Sequence, residues 1–185
     1  MKMSNIVNVI DVESTCWEKK WEQPRNEISE IIEIGICEVD INKMEILNTD
    51  SIIVKPAMSK VSKFCTKLTT LTQEDVNKGI SFGDACAILM NRHESSDRTF
   101  ISWGDYDRKQ FQNNCKDYTV KYPFGPRHLN LKNTFSLFHG LDRELGMDAA
   151  LERLKMPLEG THHRGSWDSK NIAKILIHMI KKFRQ

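Results

Sequence analysis

The apolar and polar positions of this chain repeat with two periods, and the period separates strands from helices. Ile6 to Val12 is apolar on both faces, the pattern of a central strand covered by helices on each side. Glu30 to Asp40 and Glu45 to Val54 are β-branched, alternating runs separated by the turn signal Asn42-Lys43, and they read as an antiparallel hairpin extending that sheet. Thr99 to Ser102 reads as a short buried strand, and Arg127 to Asn130 as a last strand feeding a helix over Leu131 to His139. Helical spacing runs through Phe82 to Arg92, with Phe82, Ala85, Cys86, Leu89 and Met90 on one face; Asp107 to Cys115 and Met147 to Leu154 read as further helices. Thr72 begins a short helical turn with an acidic first turn, Gln73-Glu74-Asp75. The C-terminal helix is the clearest: Ser166 is placed to cap it, and Ile172, Ile175, Leu176, Met179, Ile180 and Phe183 form one apolar stripe. Cys16 to Asn26 is polar and reads as one surface loop. Three strands followed by alternating helices and strands predict an α/β mixed sheet between helical layers.

Composition narrows the class. At 185 residues, 39% hydrophobic and 28% charged, the chain is expected to form a single soluble domain over residues 1–185 with a substantial core. A net charge of +2 does not by itself announce a nucleic-acid binder. The charge is uneven, however. Lys55, Lys60, Lys63 and Lys67 cluster around Leu68-Thr69 and suit phosphate steering, whereas Lys181, Lys182 and Arg184 read as a solvated tail. Cys16, Cys37, Cys65, Cys86 and Cys115 are widely spaced with no Cys-x-x-Cys pair, which argues against zinc and against a disulfide framework. Reduced thiols fit the cytoplasm, Met1 to Asn5 has no signal-peptide character, and Ile6 to Val12 is too short to span a bilayer.

The candidate chemistry lies in carboxylates. Asp11 and Glu13 stand two apart at the end of the first apolar run, so on a strand both point to one face. Paired carboxylates repel and lose hydration, which is expensive unless a cation sits between them. Ser102-Trp103-Gly104-Asp105-Tyr106-Asp107 follows the second apolar stretch, and His162-His163-Arg164-Gly165-Ser166-Trp167-Asp168 opens the last helix.

Acid-x-acid, a distant acid, then His-x-x-x-x-Asp before a helix resembles the DEDDh, or DnaQ-like, 3′–5′ exonuclease superfamily. Ile31-Ile32-Glu33-Ile34-Gly35 resembles its second strand. Ser62 to Thr72 resembles the segment that touches the terminal nucleotide in the Eri-like exoribonuclease branch, and Ser102-Trp103-Gly104 and Asn130-Leu131-Lys132 are further marks of that branch. The likeness runs from about Asn5 to Met179. One departure is Trp167, where members commonly carry a second acid; what this puts in question is the packing and hydration of the helix start.

The resemblance implies a ribonuclease-H-like mixed five-stranded sheet flanked by helices, and two divalent cations, Mg²⁺ or Mn²⁺, which suit oxygen-only ligands. Metal ligands would be Asp11, bridging both ions, Glu13 and Asp168, with Asp107 acting mainly from behind or through water. His163 would be the general base, with His162 a structural or phosphate neighbour, and Asp107 rather than Asp105 takes the third-acid position. Glu13, Ser14, Leu68, Thr69 and His163 would contact the last nucleotide. Trp17 and Trp21 are candidates to stack on bases, and Trp103 reads as core. The implied substrate is a single-stranded nucleic acid or 3′ overhang, RNA before DNA, releasing nucleoside 5′-monophosphates. A DNA proofreading or repair exonuclease shares the same chemistry. A non-catalytic binding module would be expected to have lost one of the five residues, and all five are present. A scaffold built on the C-terminal helix is the remaining reading, although its stripe is more simply a core face.

Overall fold

The structure, a computed structural model, describes residues 4–184; the sequence reading of Met1 to Asn5 falls mostly outside that range. Its centre is a five-stranded sheet in the order β3-β2-β1-β4-β5, built from β1 (Ile6–Ser14), β2 (Ile31–Asp40), β3 (Glu45–Ile53), β4 (Thr99–Ser102) and β5 (His128–Asn130). The hairpin pairs antiparallel with β1, whereas β4 and β5 run parallel to it. The mixed sheet is therefore the predicted one. Around it lie α1 (Lys63–Thr69), α2 (Gln73–Asn77), α3 (Phe82–Arg92), α4 (Tyr106–Asp117), α5 (Leu131–Phe138), α6 (Met147–Arg153) and α7 (Gly165–Phe183).

Alternation along β1 divides the core. Ile10 and Val12 join Ile34, Ile36 and Phe100 beneath Phe82, Leu89 and Phe111 of α3 and α4. Val7 and Val9 join Cys37, Val39 and Ile101 beneath Leu131, Phe135, Leu151 and the Ile172, Ile175 and Leu176 stripe of α7. The next residues of that second face are Asp11 and Glu13, so the strand carries two carboxylates out of the core and under the start of α7.

Two glycines set how closely α7 approaches. A Cβ on Gly35 would lie 1.9 Å from the Gly165 carbonyl carbon, and a Cβ on Gly165 would lie 2.7 Å from the Gly35 nitrogen. Helix and strand touch backbone to backbone here, which only glycine permits.

One local expectation is corrected and one element is added. Ser166 does not cap α7: the helix begins at Gly165, with Arg164 in the N-cap position and no side-chain cap of its own. The segment Lys63 to Thr69, for which periodicity gave no element, is a helix capped by Ser62, whose hydroxyl accepts from the Cys65 N–H. The polar stretch after Thr15 is a surface loop with one short 3-10 turn at Lys20–Glu22. No helix among the described residues is long and apolar enough to cross a membrane.

Candidate active site

Three elements bring the four predicted acids together. Asp11 and Glu13 come from β1, Asp107 from the first turn of α4 and Asp168 from the first turn of α7, positions where a helix N-terminus favours negative charge. Asp11, Glu13 and Asp168 each place a carboxylate oxygen within 4.8 Å of the others. Asp107 stands behind them, buried, with Oδ1 accepting from the Val12 N–H at 3.0 Å. Asp105 lies outside this group, half-exposed and paired with Arg108 at 3.2 Å. The third-acid position therefore falls to Asp107 in space as well as in spacing.

The loop before α7 delivers both histidines to Asp168. The backbone N–H of His163 donates to Asp168 Oδ2 at 2.8 Å, and His162 Nε2 lies 3.8 Å from the same oxygen. The two imidazoles stack with centroids 4.0 Å apart. His163 sits in the left-handed region, φ 62°, a conformation that costs a non-glycine residue free energy and tends to collect at functional sites. Burial lowers the His163 pKa, His162 lowers it further, and Asp168 partly offsets both.

Sequence reasoning missed what holds this loop. Glu33, fully buried on β2, accepts from Arg164 Nε at 3.0 Å and Nη2 at 3.4 Å, from the Gly165 N–H at 3.2 Å and from Ser51 Oγ at 2.6 Å. A carboxylate from another element thus supplies the missing cap, consistent with the preference of a helix start for an anion. Its sequence signal was an acid within an otherwise apolar strand. Trp167 turns away from the acids: a Cβ on Gly160, at φ 71°, would lie 2.0 Å from its ring, so the indole packs flat on the loop that carries the histidines. Lys170 reaches over the other part of that ring, 5.4 Å from its centroid.

The electrostatics suit a bound cation. Burial lifts Asp11 well above the ordinary carboxylate range, and Asp107, Glu13 and Asp168 add repulsion. Glu13 is pushed up to about 8 by burial, with Asp168 and Glu33 contributing. Burial raises Asp107 to about 7 against the opposing Val12 N–H, and Asp168 to about 6 against the His163 N–H. Asp168 Oδ1 is buried with no hydrogen-bond partner, an arrangement that costs stability unless a ligand meets it. Four carboxylates, one of them with an orphaned oxygen, form an all-oxygen donor set, which fits a hard divalent cation.

These residues line a cleft of about 410 Å³, together with Ser14, Cys16, Leu68, Trp103, Tyr106, Met147 and Asp148. Of the expected nucleotide contacts, Glu13, Ser14, Leu68 and His163 face it. Thr69 does not: it is fully buried, its hydroxyl donating to the Cys65 carbonyl at 2.9 Å, because it closes the end of α1. Trp103 packs on Phe135 and donates its Nε1–H to the Leu145 carbonyl, as core does, but it also walls the cleft. Trp17 and Trp21 are not among the lining residues; Trp21 is 79% exposed with Lys19 above its ring. Tyr106, Met147 and Asp148 carried no sequence signal, since nothing local marks a residue as facing a cleft made by other segments.

Known proteins share this arrangement. The RNase_T exonuclease family model matches residues 8–176. The chain is 32% identical to a probable 3′-5′ exonuclease, KapD, of Bacillus subtilis, over 98% of this chain and 87% of that one. It is 29% identical to 3′-5′ exoribonuclease 1 of Rattus norvegicus over 98% of this chain but 56% of the relative, so it spans about half the length of that protein. The nuclease domain of 3′hExo, described as a DEDDh family member bound to rAMP, superimposes with a TM-score of 0.87 at 28% identity, covering 96% of this chain and 92% of that one. A match that begins in β1, ends within α7 and takes in every carboxylate of the cleft is a match to the whole machine: this chain belongs to the RNase_T exonuclease family, among its metal-dependent DEDDh members.

Proposed function

We propose that the chain acts as one exonuclease domain, a 3′–5′ exoribonuclease that releases nucleoside 5′-monophosphates from single-stranded RNA or a 3′ overhang, using two divalent cations, Mg²⁺ or Mn²⁺. The observation that carries this reading is the convergence of Asp11, Glu13 and Asp168 on one point, with an unpartnered Asp168 oxygen and two histidines beside it. RNA is favoured over DNA by those relatives that are named exoribonucleases, and by the rAMP described in the solved nuclease domain. All five cysteines are free, which supports a reducing compartment such as the cytosol.

A phosphodiester resists hydrolysis because water is a poor nucleophile and the leaving oxygen a poor leaving group. Bound divalent cations supply charge neutralisation at both oxygens. Asp11, Glu13 and Asp168 would hold the cations, with Asp11 as the ligand common to both. Asp107, already committed through Oδ1 to Val12, steadies the group from behind. His163 removes the proton from the water; its lowered pKa keeps the imidazole neutral and able to accept at neutral pH. Ser14 and Leu68 position the terminal sugar and base.

A 5′-labelled RNA oligonucleotide incubated with Mg²⁺ or Mn²⁺ should give a ladder of shortening products, abolished by EDTA. Internal cutting, or activity unchanged in chelator, would overturn the reading; faster trimming of the matching DNA would move the substrate class from RNA to DNA.

A further inference from the structure

The opposite end of the α5–α6–α7 layer carries a second surface that the chemistry above does not use. His139 at the end of α5, Arg153 and Lys155 at the end of α6, and His178 and Lys182 on α7 line one cavity of about 320 Å³, with Leu154 the only non-basic member. Arg153, Lys155 and Lys182 form no ion pair among the described residues. A cation near a helix C-terminus complements the dipole. Five basic groups around one cavity without a carboxylate go beyond that, because they repel one another. The repulsion is visible at the histidines: burial lowers the His139 pKa, with Arg153 and Lys182 lowering it further, and burial with Lys182 lowers His178. His178 Nε2 is buried without a partner. A cavity lined in this way suits an anion.

An apolar groove of about 530 Å³ adjoins it, sharing His139, His178 and Lys182. Its outer wall is Phe138 and Phe183, 60% and 75% exposed, set edge to face with ring centroids 5.8 Å apart. Aromatic rings beside unpaired cations match the two halves of a nucleotide, a base that stacks and a phosphate that pairs with positive charge. The cleft and the basic cavity lie at the two ends of α6. Asp148 at the start of α6 lines the catalytic cleft and Lys155 just beyond its end lines the basic cavity, seven residues apart, or about 10 Å at a helical rise.

We propose that this surface is a second nucleic-acid site that holds the upstream part of the strand whose 3′ end lies in the catalytic cleft, with phosphates in the basic cavity and a base on Phe138 and Phe183. The occupant rests on the exonuclease reading; the basic lining of the cavity does not.

The test has a binding arm and a cleavage arm. Fluorescence anisotropy with an RNA of about 12 nucleotides, a length typical of single-strand sites, is run in chelator so that nothing is cut. Arg153→Ala/Lys182→Ala should weaken binding and reduce the slope of log Kd against log salt by about 0.7 for each phosphate that is no longer neutralised. Phe183→Ala should weaken it about tenfold, as removal of one stacked base does. In Mn²⁺, both variants should lose kcat/KM on the longer RNA yet cleave a trimer like the wild type, with melting temperatures unchanged. Unaltered binding of the long RNA, no binding of it by the wild type, or equal losses on trimer and long RNA would each overturn the proposal. So would a wild-type dimer that Phe183→Ala converts to monomer in sedimentation, since the groove would then be an interface between copies. If no RNA is cleaved but the variants still lose affinity for the long strand, the exonuclease reading fails while the second site stands.

Discussion

Replacing Glu33 by glutamine keeps the shape of the side chain that caps α7 and removes its charge. Glu33 accepts four hydrogen bonds: two from Arg164, one from the Gly165 N–H and one from Ser51. An amide oxygen turned towards Arg164 Nε and Gly165 keeps two of these. Its NH₂ group can then donate to Ser51 Oγ but meets Arg164 Nη2, which has no acceptor. What disappears is the charge assistance and one hydrogen bond. Arg164 is 32% exposed, so water screens part of it, and the cost should be about 1–2 kcal/mol. For a chain of this size that lowers Tm by about 2–4 °C per kcal/mol. The effect on rate should be larger than the effect on stability, because Arg164 lies between His163 and Asp168 and a shift of about 1 Å in catalytic groups can cost about 10²-fold. We expect kcat to fall about 10–100-fold with KM within about twofold, measured by thermal melting and by trimming of a labelled oligonucleotide at saturating metal. Ser51→Ala is the control: it removes one hydrogen bond to the same carboxylate without touching α7, so it should lower Tm and spare kcat. If Glu33→Gln and Ser51→Ala lose similar stability and both keep wild-type kcat, the clamp does not position the site.

Three further outcomes are expected. His163→Ala should bind metal and oligonucleotide almost normally but lose about 10²–10⁴-fold in rate, while His162→Ala keeps most activity; the reverse pattern would assign the base to the other ring of the stacked pair. Asp107→Asn should cost far more activity than Asp105→Asn, since only Asp107 is buried against β1; equal losses in folded proteins would place the third acid elsewhere. In chelated protein, the folded-state pKa values of Glu13 near 8, Asp107 near 7 and Asp168 near 6 exceed the ordinary 4.5 and 3.8, so the native state holds extra protons in between. This contribution to stability is complete below about pH 4 and lost as pH rises towards 8. Tm in EDTA should therefore fall across that window relative to a Mn²⁺-loaded sample, with the stabilisation by metal larger at pH 8 than at pH 5; a metal gain independent of pH would contradict it.

What is legible in the sequence is what periodicity and local signals encode. The β1 run, the hairpin, the stripe on α7 and the capped turn at Thr72 can be read correctly because each is set by residues within a few positions of one another. The five candidate site positions are legible from their order and spacing, and four acids and a histidine do meet in one cleft. Three features are not legible, for a common reason. Ser166 has the right chemistry for a cap, yet Arg164 occupies that position because Glu33, far away in sequence, satisfies the Gly165 N–H. Thr69 belongs to a motif that suggests substrate contact, but its hydroxyl is spent inside α1. Trp167, in a place where an acid is expected, faces Gly160 instead of the metal-binding oxygens. Each outcome depends on which distant segment arrives alongside, and a single sequence does not show that.

The backbone contact between Gly35 and Gly165 gives the enzyme a second threshold below global unfolding. The catalytic group is complete only while the first turn of α7 rests on β2, and that turn is held by a few polar contacts and a glycine pair instead of by the apolar stripe further along the helix. Such a seam opens locally at a lower free-energy cost than the core behind it. Local opening of that one turn would then lower the fraction of competent molecules, and warming or mild denaturant would silence the nuclease while its sheet and most of its helices remain intact.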